Sequence, residues 1–267
     1  MQISQRKEAE TIQRVITQTV ATHPAGRNLV LIGGFRFRFL DKSVRISDDI
    51  DYHWKGDLGE KQKELIDLFS RVLLPEMRRR FGYDGSVAAR HGPDADSPVV
   101  RVVDIAFWKE GIPHSRIEIP VELTRIACAD PVAIRTAGGT IYATASDGDM
   151  IESKVLAILN RSTLRHRDIV DIFLFQDRFL PDSRGRLAAK LRESGIISAS
   201  VEKRLADIRT HKDYHGKAIQ AVIDAQFDPN AAAQINDAGG GRIVLDAAMK
   251  TLEQYVPVRA KESDESN

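Results

Sequence analysis

Hydrophobic positions recur at two periods along this chain, and the change from one to the other divides it. Within residues 5–22, Ile12, Val15, Ile16 and Val20 fall at helical spacing. They predict an amphipathic helix that His23-Pro24-Ala25-Gly26 breaks. Residues 29–32 form a short apolar run that reads as a buried strand ending at Gly33-Gly34. A short helix starts at 35–40, a second strand covers 50–54, and one long amphipathic helix spans 58–81. Residues 86–90, 99–108 and 116–125 mix β-branched residues with alternation and predict strands. His91-Gly92-Pro93-Asp94 reads as a loop, and 141–145 as a last strand after Gly138-Gly139. From Asp147 onward the period becomes helical, over 150–159, 168–179, 186–193, 201–210, 215–226 and 243–255. The predicted class is α+β: a mixed-sheet core over residues 1–146 and a helical domain over 147–260. A polar, disordered tail follows over 261–267.

Composition narrows the functional classes. The chain carries 39 Lys and Arg against 38 Asp and Glu, a net charge of +1. With 42% hydrophobic and 29% charged residues, it excludes collagen, coiled coil and wholesale disorder. No apolar run approaches the ~20 residues of a membrane span. The N-terminus MQISQRKEAETIQ does not read as a secretory signal. The one cysteine, Cys128, excludes an internal disulfide and a cysteine-based zinc site. These features predict a cytoplasmic protein with no membrane partner. The near-neutral charge argues against nucleic-acid binding by bulk positive charge, and leaves room for a local basic patch.

One constellation carries chemistry. Gly33-Gly34 ends a strand, and Asp49-Ile50-Asp51 begins the next. Alternate strand residues share a face, so the two carboxylates project together and Ile50 enters the core. Carboxylates this close repel when ionised, and a divalent cation with hard oxygen ligands relieves that. Mg2+ (or Mn2+) held this way completes its shell with water and substrate phosphates. The glycines let backbone N–H groups approach a triphosphate. The competing reading is a solvated D-x-D strand face after an ordinary turn.

The motifs in order resemble a known family. Gly33-Gly34, Arg38 and Arg45-x-Ser47-x-Asp49-Ile50-Asp51 are similar to the front of DNA polymerase β-like nucleotidyltransferases, in the AbiEii/MenT toxin form. The run from Asp149 to Ala157 resembles the family's lysine-bearing helix, and Arg165-His166-Arg167-Asp168-Ile169-Val170-Asp171 its acidic helix. Phe35 and Ser153 depart from the usual small residues. The resemblance covers about residues 31–175 and implies transfer of an NMP from an NTP to an acceptor hydroxyl. Asp49 and Asp51 would hold the metal, with Glu118 rather than Glu122 as a third carboxylate unless Pro120 spoils the strand. Gly33, Gly34, Arg38 and Ser47 would line the nucleotide, Ser47 donating to a phosphate or capping the turn. Lys154 would contact the phosphates. Asp168 would act as a base or orient Lys154. Asp171 would be catalytic or pair with Arg167 or Arg161.

Arg36, Arg38, Arg45, Arg161, Arg165 and Arg167 would form a cationic rim for a polyanionic second substrate. The family implies RNA, such as a tRNA 3′ end, and a cognate antitoxin. The alternatives are a small-molecule or protein acceptor, or an inactive nucleotide-binding module. His211 and His215 have metal-ligand spacing without an evident third ligand, and Gly239-Gly240-Gly241 lacks a P-loop ending and reads as a linker.

Overall fold

In a computed structural model of the protein, residues 3–90 and 99–257 are described. The predicted 91–94 loop and the 261–267 tail lie outside the described residues. The chain divides into two compact units. Unit 1 runs to Ile126 and takes back Pro131–Ala145; unit 2 holds Ala127–Asp130 and the chain from Ser146 on.

Unit 1 begins with α1 (Ile3–Thr22), β1 (Val30–Ile32), α2 (Gly33–Leu40) and β2 (Ile50–His53). Next come α3 (Leu58–Leu68), a π turn (Phe69–Leu73) and α4 (Leu74–Phe81). Five strands follow: β3 (Asp84–Ala89), β4 (Val100–Trp108), β5 (Ile117–Thr124), β6 (Ala133–Ala137) and β7 (Thr140–Thr144). The expected single helix over 58–81 is interrupted ahead of Pro75. Proline lacks an N–H and its ring crowds the carbonyl four residues back, and a π turn absorbs both faults. The strands make one mixed sheet, ordered β3-β4-β5-β2-β1-β7-β6. The β2–β5 and β1–β7 pairs are parallel and the others antiparallel.

Alternation places Leu31, Ile50, Tyr52, Ile105, Val121 and Leu123 on one face, in a core shared with Ile12, Ile16, Leu65 and Met77 from the helices. Asp51, Asp104 and Glu122 take the alternate positions. Pro120 does not break β5. The ladder to β2 begins only at Val121, so the missing N–H falls where β2 needs no donor.

Unit 2 is helical: α5 (Asp147–Asn160), α6 (His166–Leu174), α7 (Ser183–Glu193), α8 (Ser198–Thr210), α9 (Lys212–Gln226), α10 (Pro229–Ala238) and α11 (Gly240–Tyr255). The expected linker at Gly239-Gly240-Gly241 is a tight turn. Gly239 and Gly240 adopt φ of 121° and 63°, and a side chain on Gly241 would overlap the Gly216 carbonyl of α9. These glycines let α11 lie close against α9.

Candidate active site

The glycine turn and the acidic pair meet within unit 1. Antiparallel pairing sets Ile32 opposite Asp51, so the turn after β1 stands beside the start of β2. Gly33 has φ of 77°, and a Cβ there would overlap the Asp51 carboxylate. A Cβ on Gly34 would come within 2.6 Å of both Arg45 Nη2 and Ser47 Oγ. The glycines therefore clear room first for the protein's own polar side chains. Gly33→Ala is expected to cost about 1–2 kcal/mol in backbone strain and to lower the melting temperature by about 2–8 °C. Displacing the carboxylate would also cut any transfer activity about a hundred-fold. A melt and a label-transfer assay check both; full activity would show that Asp51 is not held through this contact.

Asp49 lies on the bend just before β2 and is buried. Ser47 Oγ donates to Asp49 Oδ1 at 2.8 Å, and the Ser47 carbonyl accepts from Gln13 Nε2 of α1 at 2.8 Å. Ser47 thus orients a carboxylate. Ile50 is fully buried between the two acids, as the alternation requires.

The structure places the two candidates for a third carboxylate differently. Glu118 bonds Arg116 at 2.7 Å, its side chain is 67% exposed, and it pairs with Ala106 ahead of the β2 ladder. Glu122 is instead in register with Asp51 on the adjacent strand. Among the described residues no three His, Cys, Asp or Glu side chains form a metal cluster. The carboxylates that the glycine turn and Ser47 position here are Asp51 and Asp49. One or two carboxylates are what Mg2+ takes from proteins when substrate and water supply the rest.

Within unit 1 the three arginines expected at a cationic rim bond to the protein itself. Arg36 is the largest fully buried side chain, bonded to Asp41 and to Thr144 Oγ1 at 3.0 Å. Arg38 pairs with Glu10 at 3.1 Å and donates to the Ser43 carbonyl at 2.7 Å. Arg45 is buried against Gly34 and Ile46. Their guanidiniums hold residues 41–46 in place. In unit 2, Arg165 is exposed and Arg167 half-buried.

Lys154 sits in unit 2 between two buried carboxylates. Its Nζ lies 3.1 Å from Asp168 Oδ1 and 3.0 Å from Asp171 Oδ2, and Asp168 Oδ2 accepts from Arg161 at 2.8 Å. Asp168, occupied by two cations, has the surroundings of a lysine-positioning acid rather than a base. Asp171, expected to be catalytic or to pair with Arg167 or Arg161, meets Lys154.

A second cluster in unit 2 escaped the sequence reading. Asp149 and Glu152, fully buried on α5, both accept from Lys190 Nζ at 2.6 Å. Arg186 reaches Asp130 at 2.6 Å, Glu152 at 2.8 Å and Asp149 at 3.0 Å. The amides of Ala129 and Asp130 donate to Asp149. The signal was an i, i+3 acid pair on one helix and an i, i+4 basic pair on another. Arg186, then Ser146, depress the Asp130 carboxyl to about 2. A depressed carboxyl stabilises the fold fully above its unfolded value of about 3.9. That share is lost as pH falls towards 2, so Asp130→Asn should flatten the acid limb of a stability profile between those values.

His215 does not join His211. Its Nδ1 faces His166 Nε2 at 2.9 Å, while His211 lies beside Asp207. Burial lowers the pKa of both His166 and His215.

No family model matches the sequence, nor does any curated protein sequence. Solved structures do match in shape. JHP933 from Helicobacter pylori aligns over 95% of this chain and 96% of its own, with TM-score 0.53 and 15% identity. A Helicobacter pylori protein assigned as a nucleotidyltransferase aligns over 95% and 98%, with TM-score 0.52 and 15% identity. MenT4, a nucleotidyltransferase toxin from Mycobacterium tuberculosis, aligns over 76% and 66%, with TM-score 0.50 and 16% identity. The chain has a nucleotidyltransferase fold. The α+β architecture expected from the sequence is therefore the observed one. Among the described residues no helix of this fold is long and apolar enough to cross a membrane.

Proposed function

We propose that this protein is a metal-dependent nucleotidyltransferase that moves an NMP from an NTP to the hydroxyl of an RNA acceptor, such as a tRNA 3′ end. The observation that carries the reading is the Asp49–Asp51 pair, ordered by Ser47 and by the Gly33-Gly34 turn. Asp49 and Asp51 would hold Mg2+ or Mn2+, which supplies charge neutralisation on the phosphates. Ser47 keeps Asp49 aimed, and Glu122 adds negative charge beside Asp51. Lys154, held by Asp168 and Asp171, would offset charge on the phosphates, the role that the family resemblance implies for it. The acceptor hydroxyl gives its proton to water as its oxygen bonds the α-phosphorus, the bond from that phosphorus to the oxygen bridging to the β-phosphate breaks, and pyrophosphate leaves with the electron pair. Positioning and charge neutralisation suffice for such chemistry. In the toxin reading, a cognate antitoxin restrains the enzyme.

A small-molecule or protein acceptor is the second reading. The inward-turned Arg36 and Arg45 favour it, because they are withdrawn from a polyanion. The test incubates the protein with each labelled NTP, Mg2+ and total RNA, beside Asp49→Ala. Label on RNA that is absent with the variant supports the first reading. Label confined to small molecules or protein supports the second. NTP binding without transfer to any acceptor overturns both.

A further inference from the structure

A cavity of about 290 Å3 opens in unit 1 among α1, α4 and the end of β4. Its volume stands at the small end of ligand sites, which run about 300–1,000 Å3. At about 30 Å3 per water-sized group, it holds roughly ten heavy atoms. The floor is apolar, with Ile12 and Val15 from α1 and Met77 and Phe81 from α4. It lies on the core face of the sheet, whereas Asp51 alternates to the other face.

One wall is polar. The Tyr83 hydroxyl donates to Glu8, and Lys109 Nζ stands 3.0 Å from Glu8 Oε1 and 4.5 Å from the Tyr83 ring centroid. The Tyr83 hydrogen bond holds the Glu8 carboxyl below its ordinary range, against a smaller opposing effect of burial. Lys7 stands exposed at the mouth. The rim thus carries two ammonium groups against one carboxylate. An ammonium has three donors, and Glu8 takes one from Lys109. An apolar floor under a net positive rim selects a ligand with an apolar body and one negative charge.

We propose that this cavity binds a small monoanionic amphiphile, a carboxylate on an aliphatic body the size of octanoate. The chain lies against the half-buried Val15 and Phe81, above the buried Ile12 and Met77, and the carboxylate sits between Lys7 and Lys109. Occupancy bears on the acidic pair through α1. That helix lines the cavity with Thr11 and Val15, holds Arg38 through Glu10, and holds the Ser47 carbonyl through Gln13. A ligand pressed against α1 therefore tightens residues 43–49. Only the catalytic meaning of this coupling rests on the nucleotidyltransferase reading; binding does not.

The experiment titrates the full chain with octanoate and with octylamine by calorimetry, and follows hydrogen exchange. Octanoate is expected to bind, and octylamine to fail at ten times the concentration. Lys109→Met should weaken octanoate at least tenfold, and Val15→Trp, which fills the floor, should abolish binding. Should Lys109→Met unfold through loss of its Glu8 contact, the exposed Lys7→Met reads the same head group, with about a threefold loss expected. Equal binding of the amine and the acid, or unchanged octanoate affinity in the folded lysine variants, overturns the site. Exchange at residues 43–49 should slow with octanoate. Unchanged exchange overturns the coupling, whatever the transfer assay shows.

Discussion

Alanine at Asp49 is expected to lower label transfer by a factor of about a thousand and to leave the protein folded. The side chain is buried but stands at the mouth of a strand rather than in the apolar core, and it accepts a hydrogen bond from Ser47. Loss of that hydrogen bond costs about 1 kcal/mol, too little to unfold a domain of this size. Loss of the charge is different. With Asp51 alone, half the oxygen donors for a divalent ion are gone, and removing one preorganised group from a developing charge costs about 100- to 1,000-fold. Asp49→Asn separates size from charge. It keeps the Ser47 contact and still should lose nearly all transfer. A melt beside a turnover assay checks this, and substantial activity in both variants would sink the assignment of the acidic pair.

The largest effect on stability is expected from Lys190→Met. The Lys190 side chain is 4% exposed and bridges two carboxylates that are themselves out of water. Removing the ammonium leaves Asp149 and Glu152 facing each other with Arg186 as their remaining described cation. Breaking a buried ion pair by deleting one partner costs about 3–5 kcal/mol. In a chain of this size that lowers the melting temperature by about 6–20 °C. Methionine keeps the volume, so the loss reports charge rather than a cavity. A fall of less than 2 °C would mean that water, not Lys190, satisfies the two acids. Because Lys154 shares α5 with Asp149 and Glu152, the variant also tests whether this network sets the position of that lysine.

What could be read from the chain follows from what each element buries. Ile50 between Asp49 and Asp51 is a two-residue alternation, and its outcome needed only the neighbouring strand to be buried on one side. The helices of unit 2 that present a clear apolar stripe were visible for the same reason. Strand β6 and helix α10 were not. β6 alternates only between half-buried and exposed positions, and α10 buries no residue at all, so neither leaves a periodic signature. The π turn had a local signal in Pro75, whose consequence a simple 3.6 period overrides. Partners far apart in sequence were beyond reach. Arg186 meets Asp130 across 56 positions, and the placement of Glu122 beside Asp51 depends on a strand register that periodicity does not encode. The arginines misled for a related reason. Sequence shows that a guanidinium is present but not that Asp41 or Glu10 has already claimed it.

The short excursion Ala127–Asp130 has a practical consequence for dissecting this protein. It belongs with the helices although strand residues flank it in sequence, and its backbone amides are tied to Asp149. A helical fragment expressed from Ser146 onward would lack those amides and the Asp130 carboxylate. Its Asp149 and Arg186 would then lose partners together, and the fragment would start life with a wound in its interior. A workable dissection instead carries residues 127–130 as a spliced leader on the helical half, with a designed loop replacing them in the sheet half.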